Sequence, residues 1–271
     1  MRICFAKLGA IGTAVLAEYM LDERAERDLE VRVVTGGAKM GEKEAEEVAE
    51  KVLEFNPELV IVTSPNATLP GPTKLRNILK DAKKPVIVIS DSPAKKICDK
   101  LKEEGFGYIV VTADSMIGAR REFLDPTEMA LYNSYIIKVL SASGALRTVQ
   151  LALDECINSL ENGEIKLPQL IVDVWTAVEN GGFSNPYAFA KAFAAYSIAE
   201  KVSTITTKAC FAEKEMERYI PMVAAAHEMM RYAAKLADEA RELEKAGDSV
   251  LRTPHAKDGR VLRKKRLLEK P

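Results

Sequence analysis

The sequence predicts an α/β protein with a doubly wound, mostly parallel sheet, followed by a helical region holding a small β segment. Three observations carry that expectation. From the first residue to about Thr112, short β-branched runs alternate with longer segments of helical period, the pattern of parallel strands joined by crossover helices. The runs are apolar at successive positions, as expected of strands covered on both faces. Beyond Asp125-Pro126 the helical period dominates, so the chain is expected to divide into an α/β domain over 1–125 and a helix-rich region over 126–271.

The strands are expected at Ile3 to Ala6, Glu30 to Thr35, Leu59 to Thr63, Val86 to Ser90 and Tyr108 to Thr112. The intervening helices are expected at Thr13 to Arg27, Gly41 to Phe55, Pro72 to Asp81 and Pro93 to Glu104. Thr127 to about Leu160 reads as one helical stretch that Ser141-Ala-Ser-Gly144 breaks or bends. Asn185-Pro186 opens another helix, because Asn caps well and Pro suits the first helical position. Lys201 to Phe211, rich in Thr and Val, is read as the small β segment. A helix of roughly thirty residues then runs to Gly247, and Asp258-Gly259 marks a terminal hairpin over Leu251 to Leu262.

A chain of 271 residues can bury a sizeable core, and 39 Lys and Arg against 40 Asp and Glu leave no overall attraction for nucleic acid or an anionic membrane. Charge is nevertheless uneven. Arg252 through Pro271 hold eight basic residues against Asp258 and Glu269, on an otherwise acidic body. That run reads either as a solvated charged surface or as a binding face for a small polyanion. No stretch approaches the length of a bilayer span, and the opening Met1-Arg2-Ile3-Cys4-Phe5 enters a strand pattern rather than a secretion signal, so a cytoplasmic location is expected. Cys4, Cys98, Cys156 and Cys210 are too far apart for a Cys-x-x-Cys pair and read as buried apolar thiols.

Chemistry is expected where loops leave the carboxyl ends of the strands, since open parallel sheets bind ligands there. Lys7-Leu-Gly9-Ala-Ile-Gly12-Thr13 is a Gly-x-x-Gly turn opening a helix, which presents backbone N–H groups to an anion or serves only as a tight structural turn. It lacks one glycine of the dinucleotide fingerprint, and the second strand ends in Thr35-Gly36-Gly37 rather than an acid, which disfavours a nicotinamide cofactor. Ser64-Pro-Asn66-Ala-Thr68-Leu-Pro70-Gly-Pro72 is a rigid loop, and Ser90-Asp91-Ser92-Pro93 should leave the same edge. The densest polar group is Asp114 to Pro126, containing Arg120, Arg121, Glu122 and Asp125. It reads as an exposed ionic network with Asp125 as a helix cap, or as a site for a charged aromatic ligand. His227 lies on an apolar helix, where a packed core or interface histidine is the default. Walker, nucleophile-elbow and zinc-helix motifs are missing.

Gly118-Ala-Arg-Arg-Glu-Phe-Leu-Asp-Pro126, Glu128-Met-Ala with Tyr132-Asn133, Pro65-Asn66 with Pro70-Gly-Pro72, His227-Glu-Met-Met-Arg231, and Ala237 to Lys245 leading to Val250-Leu-Arg-Thr-Pro-His255 carry a resemblance. With these motifs the chain resembles the F420-dependent methylenetetrahydromethanopterin dehydrogenases over nearly its whole length. The resemblance implies reversible hydride transfer between the dissociable 5-deazaflavin coenzyme F420 and the one-carbon bridge of tetrahydromethanopterin, in archaeal methanogenesis or its reverse. It implies no metal and no tightly bound flavin, a cytoplasmic enzyme, and a homo-oligomer, typically a hexamer. On this reading Lys7, Gly9, Gly12, Thr13, Ser64, Asn66, Asp91 and Ser92 hold the coenzyme. Arg120, Arg121, Glu122, Asp125 and His227 face the pterin, with Glu122 and Asp125 nearest the chemistry. The alternatives are a nicotinamide-dependent Rossmann oxidoreductase and a non-catalytic metabolite-binding or assembly protein.

Overall fold

The computed structural model describes residues 1–22, 29–115 and 122–271. Among them the chain forms two compact units, each assembled from separate stretches. The first comprises Met1–Val111, Val149–Ile171 and His255–Val261; the second comprises Thr112–Thr148, Val172–Pro254 and Leu262–Pro271.

The first unit is built on a six-stranded sheet of β1 (Arg2–Lys7), β2 (Glu30–Thr35), β3 (Leu59–Ser64), β4 (Val86–Ser90), β5 (Gly107–Val111) and β6 (Gln169–Val172), in the order β2-β1-β3-β4-β5-β6. The ladders of β1 through β5 are parallel. β6 continues the sense, because Pro168 and Val172 carbonyls accept from Tyr108 and Thr112 N–H in the same order along both chains. The expected strand positions hold to within a residue at each end. The sixth strand was not anticipated, since Gln169-Leu-Ile-Val172 is too short to show a period.

Right-handed crossovers put α1 (Gly12–Asp22) on one face of the sheet, and α2 (Glu42–Phe55), α3 (Pro70–Asp81) and α4 (Cys98–Glu103) on the other. On the α2–α4 side, Cys4, Ala6, Val60, Val62, Val86, Val88 and Val110 pack against Val48, Val52, Leu75, Leu79 and Leu101. The opposite-facing Ile3, Phe5, Leu59, Ile61, Ile87, Ile89 and Ile109 are equally buried, as a doubly wound sheet requires. β2 departs from the expectation that every strand is covered on both faces. It is the sheet's edge, and Glu30 and Arg32 stand in solvent as an ion pair. The segment expected as one helix from Pro93 begins instead as a 3₁₀ turn, Ser92–Ile97, before α4. The end of the first expected helix, beyond Asp22, lies outside the described residues.

The second unit is helical: α5 (Pro126–Ser143), the first turn of α6 (Ala145–Glu161), α7 (Val174–Gly181), α8 (Pro186–Thr207) and α9 (Met216–Ala246). Gly144 separates α5 from α6 at the expected break, with φ of 105°. Asn185 caps α8 through its Oδ1, which accepts from the N–H groups of Tyr187 and Ala188 at 2.8 and 3.4 Å. Ala188, Ala192, Ala195 and Ala199 on α8 and Ala226, Ala233, Ala237 and Ala240 on α9 are buried, and small side chains let the two backbones approach closely.

The β segment expected over Lys201 to Phe211 is not a strand. α8 runs on to Thr207 and a π-helical turn, Lys208–Ala212, ends it. Two of its hydroxyls are absorbed by the helix itself: Thr204 bonds the Glu200 carbonyl at 3.3 Å, and Thr206 bonds those of Val202 and Ser203 at 3.1 and 3.2 Å. Burial of Val202, Ser203 and Thr206 then outweighs the modest β preference of the composition.

The terminal hairpin forms as expected, with antiparallel pairs Arg252↔Lys264 and His255↔Val261 and Gly259 at φ 83°. Cys4, Cys98 and Cys156 are buried, whereas Cys210 is only half-buried. Burial pushes the Cys4 and Cys156 thiols up to about 11, which keeps them protonated and unreactive. Among the described residues no single helix is long and apolar enough to cross a membrane.

Candidate active site

The order of the first unit's sheet reverses between β1 and β3, and the crevice of an open α/β sheet lies beyond the carboxyl ends of the strands at that point. The expected loops meet there. Lys7 is opposite Thr63 and Ser64 is opposite Ser90 in the ladders. Leu8 N–H bonds the Thr63 carbonyl at 3.0 Å, Gly9 N–H the Gly37 carbonyl at 2.9 Å, and Gly36 N–H the Lys7 carbonyl at 2.9 Å. Gly9 has φ of 81°, and a Cβ on it would lie 2.8 Å from Pro65 Cδ and 2.9 Å from Met40 Sδ. The loop after β1 therefore rests directly on the loop after β3. Gly12 and Thr13 form the first turn of α1, with Thr13 buried.

Asn66 Oδ1 accepts from Thr68 N–H at 3.0 Å and Thr68 Oγ1 at 2.6 Å, which folds the loop on itself. Ser90 Oγ donates to the Ser64 carbonyl at 2.8 Å and accepts from Ala67 N–H at 3.1 Å, tying the β3 and β4 ends together. Behind the loop, buried Arg76 donates to the Ala67 carbonyl at 2.7 Å. Asp91 is buried, and its Oδ1 accepts from Ser92 N–H at 2.5 Å. Lys7 pairs with Glu18 at 2.7 Å, so its ammonium is already partly neutralised. The hydroxyls of Thr63 and Ser64, at the carboxyl end of β3, are buried with no hydrogen-bond partner.

The second unit carries a separate group. His227, on α9 and only 6% exposed, lies against the Tyr132 ring at 4.4 Å between centroids and meets the Phe123 ring edge-on at 4.9 Å. Its Nδ1 is 3.4 Å from Glu128 Oε2, while Nε2 is buried without a partner. The Tyr132 hydroxyl is hydrogen-bonded to Ser115 Oγ. Burial holds the His227 imidazole below its ordinary 6.5, against the opposing pull of Glu128 and Glu228. Asp125 Oδ1 caps α5 by accepting from Glu128 N–H at 2.7 Å, and Glu122 is exposed. Arg120 and Arg121 lie outside the described residues.

Glu128 is the member of this group that sequence reasoning missed. Asp125-Pro-Thr-Glu128 has capping-box spacing, which signals a helix start but not a partner on a distant helix. A second missed network joins Thr112 Oγ1 to Glu200 Oε1 at 2.5 Å and Tyr196 OH to the Val172 carbonyl at 2.5 Å. Burial pushes the Tyr196 phenol far up, so it stays a neutral donor.

The His227 environment has a measurable consequence. An imidazole that releases its proton more readily in the folded state than in the unfolded chain stabilises fully above about pH 6.5. That contribution is lost as pH falls below 6.5 toward the lowered folded value. Urea midpoints at pH 7.5 and 5.5 are expected to fall less in His227→Gln than in the parent; equal falls would show that His227 does not contribute.

The family model described as methylene-5,6,7,8-tetrahydromethanopterin dehydrogenase matches residues 1–271. The chain belongs to this family. The F420-dependent methylenetetrahydromethanopterin dehydrogenase of Archaeoglobus fulgidus is 62% identical over 273 residues, covering 100% of this chain and 99% of that protein. The enzyme of the same name from Methanococcus maripaludis strain S2 is 51% identical over 274 residues, with the same coverage. A solved structure of an F420-dependent methylene-tetrahydromethanopterin dehydrogenase, in complex with methylene-tetrahydromethanopterin and coenzyme F420, matches with a TM-score of 0.95 and 48% identity. That match covers 100% of this chain and 99% of the other. The likeness to the dehydrogenase thus extends over the whole chain.

Proposed function

We propose that this chain catalyses reversible hydride transfer between coenzyme F420 and the methylene and methenyl forms of tetrahydromethanopterin. The observation that carries this reading is the full-length likeness to a dehydrogenase structure holding both compounds. When bound, the deazaflavin supplies or accepts the hydride at its C5. The protein's own groups need only arrange the encounter, because the methenyl carbon is a stabilised cation that takes up hydride without a metal or an obligatory acid. Orientation of this kind supplies up to ~7 to 11 kcal/mol in favourable systems.

In this reading Gly9, Gly12 and Thr13 offer close backbone approach and the positive end of α1 to the coenzyme's anionic chain. Lys7, Ser64, Asn66, Asp91 and Ser92 line the same edge. Arg120, Arg121, Glu122, Asp125 and His227 face the pterin. Glu128 joins them as the group that orients the imidazole. A neutral His227 adds no positive charge opposing the methenyl cation, while carboxylates favour it; a stronger negative field would slow the reduction. The nicotinamide alternative is further weakened at the end of β2, where the strand closes on Thr35, whose Oγ1 accepts from Gly37 N–H at 3.0 Å, rather than on an acid. The same family reading makes the chain a cytoplasmic homo-oligomer, expected as a hexamer by light scattering.

The test follows the absorbance of oxidised F420 with methylene-tetrahydromethanopterin, alongside NAD and NADP in its place. Turnover is expected with F420 alone, and deuterium from a labelled bridge is expected on the reduced carrier rather than in water. Glu122→Gln and Asp125→Asn separate charge from fold, since Asn also caps a helix. Each is expected to lower kcat/KM for the pterin by roughly ten- to a hundred-fold, the worth of a hydrogen bond to a charged group. Unchanged turnover and unchanged binding in both would remove them from the site.

A further inference from the structure

Arg147, in the first turn of α6, is held by three carbonyls. Its Nη1 donates to Asn180 at 2.9 Å and Gly181 at 2.7 Å, and its Nη2 donates to Leu251 at 2.6 Å. Nε is buried and has no hydrogen-bond partner. Among the described residues the guanidinium of this half-buried side chain has no carboxylate partner.

The side chain lines a recess in the second unit, bounded also by Gly144, Gly182, Arg241, Glu244 and Leu251. Counting its open mouth, the recess has about 330 Å³ of empty space. Arg241 and Arg263 stand close enough to oppose the charge of Arg147. Burial first, and these two neighbours second, pull its guanidinium down to about 10. Arg241 and Arg263 likewise have no ion-pair partner among the described residues.

The acid in the wall is committed elsewhere. Glu244 Oε1 accepts from Ser184 and Asn185 N–H at 2.8 and 2.7 Å, and Oε2 is bonded to Ser249 Oγ. Among the described residues that line the recess, Glu244 is the only acid against Arg147 and Arg241, so the lining keeps a positive excess. Arg263 belongs to the basic run from Arg252 onward.

We propose that the recess between α6, α7 and α9 is a binding site for a small oxyanion of the phosphate or sulfate class, bound by Arg147 and Arg241. The anion offsets the repulsion among these arginines, so it stabilises the folded enzyme by preferential binding to that state.

Inorganic phosphate is titrated calorimetrically against the whole protein in a chloride background at constant ionic strength, and thermal midpoints are compared in phosphate and chloride. Binding at one site per chain and a higher midpoint in phosphate are expected. Arg241→Gln, an exposed position outside the hydride-transfer site, should weaken that binding about ten-fold or more and abolish the phosphate-specific rise while leaving turnover intact. A rise in KM for either organic substrate on adding phosphate, mirrored by Arg241→Gln, would mean that the oxyanion belongs to that substrate. An unchanged KM means that the anion is free. Absence of binding heat, or equal binding in the parent and Arg241→Gln, overturns the site.

Discussion

Gly144→Ala is expected to destabilise the protein by about 3 kcal/mol or more, read as a lower urea midpoint with an unchanged slope. Two costs combine. At φ 105° an L side chain is strained wherever it points, and a Cβ there would lie 2.1 Å from the Ala177 carbonyl oxygen and 2.4 Å from Gly181 N. These are backbone atoms at the end of α7, and they cannot rotate away as a side chain would. The Gly144 carbonyl also accepts from Thr148 N–H and Thr148 Oγ1, both at 3.0 Å, so the corner cannot relax without loosening the first turn of α6. A loss below about 1 kcal/mol would mean that the approach of this corner to α7 is far softer than described.

Gly9→Ala is expected to raise KM for F420 by ten-fold or more with a smaller effect on the pterin, measured in the same absorbance assay. The new methyl must displace Pro65 or Met40. Met40 can swing aside, but Pro65 is fixed by its ring and by the loop that Ser90 ties to β4. The displacement would therefore pass to Asn66 and the strand ends on either side of it. A parallel increase in both KM values, or a change in kcat alone, would show that this loop does not hold the coenzyme.

Much of the first unit could be read in advance because its strands are continuous β-branched runs, bounded by helices whose period is equally plain. What could not be read was local chemistry reinterpreted by distant contacts. The Thr-rich end of α8 spells a strand, yet the preceding turn absorbs the hydroxyls of Thr204 and Thr206 and burial does the rest. Gln169–Val172 has no pattern of its own and becomes a strand only because β5 offers a free edge. The loops at the switch point were legible as a group, since strand order alone brings them to one edge. The partnership of His227 with Glu128 was not, because 99 residues separate them and nothing in the spelling of either helix refers to the other. Family motifs marked Glu122 and Asp125 as residues of interest. Geometry adds that one oxygen of Asp125 is already committed to the helix cap.

The threading of the first unit bears on how this protein is made. On a ribosome, β1 to β5 emerge well before Gln169–Val172, and β5 meanwhile presents a row of unpaired N–H and carbonyl groups to whatever else is nearby. Gly107 adds to the hazard: a side chain there would strike Leu167 and Pro168, so the position must stay bare and offers neither bulk nor charge to repel a stray strand. Newly synthesised chains halted after β5 should therefore be the most sticky, and readthrough to Val172 should relieve them.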